Sequence, residues 1–155
     1  MIINLNNYLI NKNIIQKKIP NWVLTTPRSN WTYDYNKKWY DNYDLETSLK
    51  IITKNMELLS ILLKKNDIEL SISVYPWPST IIFDDEKNLQ IQIWKKFCED
   101  KCKKFYNLMD PFFKLKKNQD PKEIYFEYFI NGDVHFNNNG NKIIADNFLA
   151  LYKDN

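Results

Sequence analysis

Asp133 and His135 stand two residues apart in the run Asn131-Gly132-Asp133-Val134-His135-Phe136-Asn137. A carboxylate at that spacing can accept a hydrogen bond from the imidazole Nδ1–H. The bond fixes the tautomer and leaves Nε2 free to take a proton from a serine hydroxyl. His135 is the only histidine in the chain, so imidazole chemistry must run through it. A metal site made of Asp133, His135 and a distant carboxylate such as Asp110 is the weaker alternative, because one imidazole gives a poor ligand set. Cys98 and Cys102 are too few for a disulfide framework, and a zinc site would need further ligands. They are expected to be buried or idle thiols, and no metal or cofactor is expected.

A proton shuttle must be held still, so the elements around it matter. Asn131-Gly132 is a turn signal, and Asn137 is placed to cap a helix from about 138 to 152, with Ile144, Phe148, Leu149 and Leu151 or Tyr152 inward. Upstream, Leu45, Leu49, Ile52, Met56, Leu59 and Leu63 step by four and three, one face of a helix that Asp44 would cap. Asn66-Asp67 breaks it. Ile68, Leu70, Ile72 and Val74 then alternate as a strand, and the small Ser71 and Ser73 between them imply a second closely packed face. Pro76 and Pro78 end that strand. A helix over about 86–103, with Leu89, Ile93, Trp94 and Phe97 inward, precedes a short buried strand at 105–109. A helical turn follows at 111–117, then a helix opened by Asp120-Pro121 and running to about Phe129.

Strands separated by helices pair in parallel with right-handed crossovers. Two strands are too few for a complete sheet of that kind, so the expected fold is α/β and incomplete. Residues 1–43 show little regular pattern beyond a short helix and form an irregular, aromatic-rich segment. Residues 44–155 form the α/β portion. Trp31, Tyr33, Tyr35, Trp39, Tyr40 and Tyr43 are either ordinary packing residues or a sugar-stacking surface.

The composition suits a packed domain. Of 155 residues, 44% are hydrophobic and 15% aromatic, which argues against disorder. The 22 basic and 19 acidic residues leave a net charge of +3, too weak and too dispersed for a nucleic-acid partner. No segment carries the ~18 continuous apolar residues of a membrane span. The opening MIINLNNYLINKN lacks a basic n-region and a long apolar core, so no signal peptide is expected.

The longer pattern Gly132-Asp133-Val134-His135-Phe136-Asn137-x-x-Gly140-Asn141-x-x-Ile144-Ala145 resembles the closing block of the SGNH/GDSL-type hydrolases. The similarity is close over 131–146 and loose over about 30–152. The usual spacing in that family is Asp-x-x-His; the Asp-x-His found here resembles its carbohydrate O-acetyltransferase and acetylesterase relatives. The segment Ile72-Ser73-Val74-Tyr75-Pro76-Trp77-Pro78 looks like the strand and rim loop ahead of the last crossover in one branch. The resemblance implies the C-terminal part of a flavodoxin-like three-layer parallel sheet, with Asp133 and His135 as two members of a serine-esterase triad. Trp77 and Ser79, on the rim, are candidate substrate contacts.

The same resemblance implies a nucleophile in a Gly-Asp-Ser turn near the domain's start, which this sequence lacks. Its two glycines both belong to the closing motif, and none of Ser29, Ser48, Ser60, Ser71, Ser73 or Ser79 follows a Gly-Asp pair. A triad base without a nucleophile does not catalyse acyl transfer. The expectation is therefore a partial esterase domain, inactive alone, that acts on an ester or acylated carbohydrate when an N-terminal segment or partner chain supplies the serine. The alternative is a non-catalytic glycan- or protein-binding module with an aromatic surface.

Overall fold

A computed structural model describes residues 18–25, 30–34 and 44–153. Its elements are α1 (Asn21–Thr25), α2 (Leu45–Lys65), β1 (Ser71–Val74), α3 (Pro78–Phe83), α4 (Leu89–Lys101), β2 (Lys104–Asn107), α5 (Asp110–Lys116), α6 (Pro121–Tyr128) and α7 (Asn138–Lys153). The chain is mixed α/β, and β1 and β2 form a two-stranded parallel sheet with Ser71 opposite Lys104 and Val74 opposite Asn107.

Local chemistry explains most boundaries. The Asp44 carboxylate accepts from Thr47 N at 2.7 Å and starts α2. Asn88 accepts from Gln90 N and Ile91 N and starts α4. Asp120 accepts from Lys122 N, with Pro121 at the first helical position of α6. Asp67 takes a positive φ of 55° in the turn between α2 and β1, a conformation short polar side chains tolerate.

Register divides the sheet into two faces. Val74 and Phe105 pack with Ile91 and Trp94 of α4, Phe113 of α5, and Met109 just before it. On the other face the Tyr106 ring lies 4.9 Å from that of Phe148 in α7, and the Lys104 ammonium donates to the Leu151 carbonyl. A second cluster joins α1, α3, α5 and α6 through Val23, Ile81, Phe112, Ile124 and Tyr125, all fully buried, with Ile19 and Phe129 beside them.

Several sequence expectations need correction. The first strand is shorter than 68–74, because Ile68 and Glu69 lie outside the ladder. Ser71 and Ser73 are exposed, not buried; the contacts of α7 on this face fall on β2, with Phe148 against Tyr106. Pro78 does not merely end the strand. It occupies the first position of α3, where its missing N–H costs nothing. Ile52 and Leu59 of α2 and Leu149 and Tyr152 of α7 are exposed rather than inward. Cys98 and Cys102 are bonded to each other, not idle thiols. Cys102 leaves α4 in an extended conformation, which brings the two Cα atoms to 4.4 Å, within bridging range. Trp31 and Tyr33 are half-buried. Tyr35, Trp39, Tyr40 and Tyr43, like Ser29, lie outside the described residues.

Candidate active site

The site is a tight loop between α6 and α7. Phe129 and Phe136 pair as an antiparallel bridge, Ile130 N donates to His135 O at 2.9 Å, and Asn137 N donates to Tyr128 O at 3.0 Å. Gly132 turns the loop at φ +81°, a backbone region that side chains other than Asn or Asp rarely enter. The Asn137 side chain then works in both directions. Its Oδ1 accepts from Asn139 N and Gly140 N to cap α7, and its Nδ2 donates to the carbonyls of Glu127 and Phe129 at the end of α6.

Within this loop His135 Nδ1 lies 2.8 Å from Asp133 Oδ1. The same oxygen accepts from Val134 N at 2.6 Å and from His135 N at 3.3 Å. The bond from the His135 ring, then those from the backbone, hold the Asp133 carboxyl below the usual carboxylate range. It is therefore an acceptor at neutral pH, as an orienter of Nδ1–H must be. Since its folded value lies below the unfolded one, the pair's contribution to stability is present above the ordinary carboxylate range. That contribution is lost as pH falls through the folded value. The Asp133 carboxyl carbon should titrate at lower pH in the native protein than in His135→Ala, followed by NMR. Equal midpoints would show that the ring does not bind the carboxylate in solution.

Sequence reasoning missed the group that shapes the loop. Tyr125 is completely buried in α6. Its hydroxyl accepts from Gly132 N at 2.8 Å and Asp133 N at 3.2 Å, and its proton faces the carbonyls of Ile130 and Asp133, each at 3.2 Å. Burial pushes this phenol above its ordinary value, so it stays a donor. Its partners are all backbone groups, which leave no mark on residue type. Tyr125→Phe should cost about 1–3 kcal/mol, because it strands polar groups in a closed turn. Urea unfolding measures this, and unchanged stability would deny the hydroxyl its role.

His135 opens onto a groove of about 440 Å³. The Tyr75-Pro76-Trp77 segment, at the carboxyl end of β1, forms one wall. Val134, Phe136, Asn141 and Ile144 form the other. Tyr75 and Phe136 meet across it with ring centroids 6.2 Å apart. The carboxyl ends of parallel strands are where α/β sheets place their ligands. Trp77 thus shares the groove with His135. Ser79 does not: it is completely buried in the first turn of α3, two residues past Trp77. No described serine lines the groove, and among the described residues no thiol is free. Asp110 is paired with Lys114 at 2.7 Å. Among the described residues no three His, Cys, Asp or Glu side chains cluster as metal ligands.

The chain matches no protein-family model, no curated protein and no solved structure.

Proposed function

We propose that the chain is the Asp/His-bearing part of an SGNH-like serine esterase domain. The two-stranded parallel sheet, with helices on both faces, would be the C-terminal part of a flavodoxin-like three-layer sheet. One observation carries the reading: an imidazole that is 78% exposed, bonded through Nδ1 to a carboxylate, faces a groove walled by the segment at the carboxyl end of β1. A side-chain pair this exposed contributes little to folding, so stability is a poor reason for its geometry.

In the mechanism, Nε2 of His135 takes the proton from a serine hydroxyl as that hydroxyl attacks an ester carbonyl. The imidazolium is stabilised by Asp133 and then gives the proton to the departing alkoxide. Water, or an acceptor hydroxyl, releases the acyl group by the reverse sequence. Trp77 offers a flat apolar face to a sugar ring, which favours O-acylated carbohydrate as substrate. With no described serine in the groove, the chain alone is expected to be inactive.

The test is p-nitrophenyl acetate turnover and fluorophosphonate labelling. Both should be absent for the chain alone and appear when the segment bearing the serine is restored. Turnover by the chain alone that survives His135→Ala would overturn the proposal. The second reading, a glycan-binding module, rests on the same Tyr75 and Trp77 wall. It would be favoured if an acetylated oligosaccharide bound equally well to the native chain and to His135→Ala, with no turnover under any condition.

A further inference from the structure

The groove in front of His135 has apolar walls, yet it keeps polar atoms that the fold does not use. Trp77 is half-buried in one wall, and its indole N–H has no acceptor among the described residues. A tryptophan N–H that leaves solvent usually finds one. Asn141 stands in the opposite wall, in the first turn of α7. Other asparagines of this helix and its cap use their side-chain amides on the fold. Asn137 bonds both helices it joins, Asn139 Nδ2 donates to the Glu127 carbonyl at 3.4 Å, and Asn147 Nδ2 donates to the Asn107 carbonyl at 3.4 Å. The Asn141 amide makes no such bond among the described residues. Its backbone, in contrast, is fixed. Asn141 N donates to Asn137 O at 2.9 Å, in the turn that Asn137 Oδ1 caps. Two donors and an acceptor oxygen are thus carried on a rigid element that shares its wall with the imidazole.

The chemistry of these walls selects between two kinds of occupant. An acyl tail has no donor or acceptor along its length, so it would strip water from the amide and the indole N–H and return nothing. A pyranose has an apolar C–H face and a rim of hydroxyls. The face fits the ring of Trp77, and the rim can both donate to and accept from an amide.

We propose that Asn141 is the specificity residue of the groove: its amide bonds a ring hydroxyl of a pyranose whose C–H face lies on Trp77. That this sugar is the alcohol part of an ester rests on the esterase reading; the sugar contact itself does not. The full chain is titrated, followed by NMR, with the methyl pyranosides of glucose, galactose and mannose. A fourth ligand, 2-methoxytetrahydropyran, keeps the ring and the methoxy group but has no hydroxyls. At least one glycoside should shift the Trp77 indole and Asn141 side-chain amide signals to saturation. Asn141→Ala should weaken that binding about tenfold, the worth of a hydrogen bond. It should not lower the melting temperature, because it breaks no bond within the described fold and alanine is the better helix former. The hydroxyl-free ring should bind more weakly than the glycoside, and equally to the native chain and to Asn141→Ala. Sugar bound through Asn141 with no ester turnover, once a serine-bearing segment is supplied, counts against the esterase alone. Turnover of p-nitrophenyl acetate without glycoside binding counts against the role of Asn141 alone. That role is overturned if none of the three glycosides shifts the two signals, if Asn141→Ala binds as tightly as the native chain, or if the hydroxyl-free ring binds as well as the sugars.

Discussion

If the chain is the Asp/His part of a serine esterase, as proposed, then with a serine-bearing segment supplied Asp133→Asn should lower ester turnover by about 10⁴-fold and His135→Ala by on the order of 10⁶-fold, each with folding stability unchanged. The two effects are unequal for a physical reason. Alanine removes the only group that can take the serine proton. Asparagine leaves an imidazole in place but presents an N–H or a neutral carbonyl to Nδ1, so the ring sits in the wrong tautomer or loses the stabilisation of its charged form. The double variant should be no slower than His135→Ala, because an orienter has nothing to orient once the ring is gone. Stability is spared because His135 is 78% exposed, asparagine's Oδ1 can still accept the backbone N–H bonds that Asp133 makes, and exposed pairs contribute little to folding. Steady-state kinetics and thermal denaturation on the same preparations separate the two claims. Turnover within tenfold of native for His135→Ala would remove the imidazole from the reaction, and a large loss of melting temperature would show that the loop depends on the pair.

The parts of this site that could be read in the sequence are those set by short-range rules. A carboxylate two residues before an imidazole, after a glycine turn, is within its reach by local geometry, and Asn137 caps α7 through its own next two or three residues. Parallel pairing of β1 and β2 followed from a helix between two strands. Contacts between distant residues were not legible. The hydroxyl of Tyr125 holds the loop through backbone atoms alone, and a tyrosine on an apolar helix face looks like any other core aromatic. The depth of Ser79 depended on Pro78 starting a helix, whereas the same proline was equally consistent with a chain reversal at the rim. The exposure of Ile52 and Leu59 also runs against periodicity, which reports a face that seeks cover and not whether the cover is present.

Gly140→Ala should destabilise the protein by about 2 kcal/mol net and disturb the dyad, though residue 140 touches neither member of it. A Cβ at this position would collide with the Tyr128 carbonyl oxygen and come within 2.7 Å of Phe136 Cδ1 and 2.9 Å of its Cβ. Neither neighbour can give way easily. The carbonyl accepts the Asn137 N–H that closes the loop. The Phe136 ring is stacked on Phe112, with centroids 5.6 Å apart, and packed on Phe129 at 4.6 Å. Phe112 and Phe129 belong to the buried cluster. Overpacking of this kind costs about 3 kcal/mol, and the gain in helix propensity from alanine returns about 1. For a chain of this size the melting temperature should fall by roughly 4–8 °C. Phe136 directly follows His135, so its displacement should also shift the imidazole resonances. Gly132 provides the contrast. There a Cβ finds only Pro20 Cγ at 3.9 Å, and the restriction is the φ of +81°. Gly132→Asn should therefore recover much of the stability lost in Gly132→Ala, because asparagine tolerates that backbone region, whereas Gly140→Asn should be no better than Gly140→Ala. If asparagine rescued position 140 as well, backbone conformation and not steric room would be the reason that glycine is there.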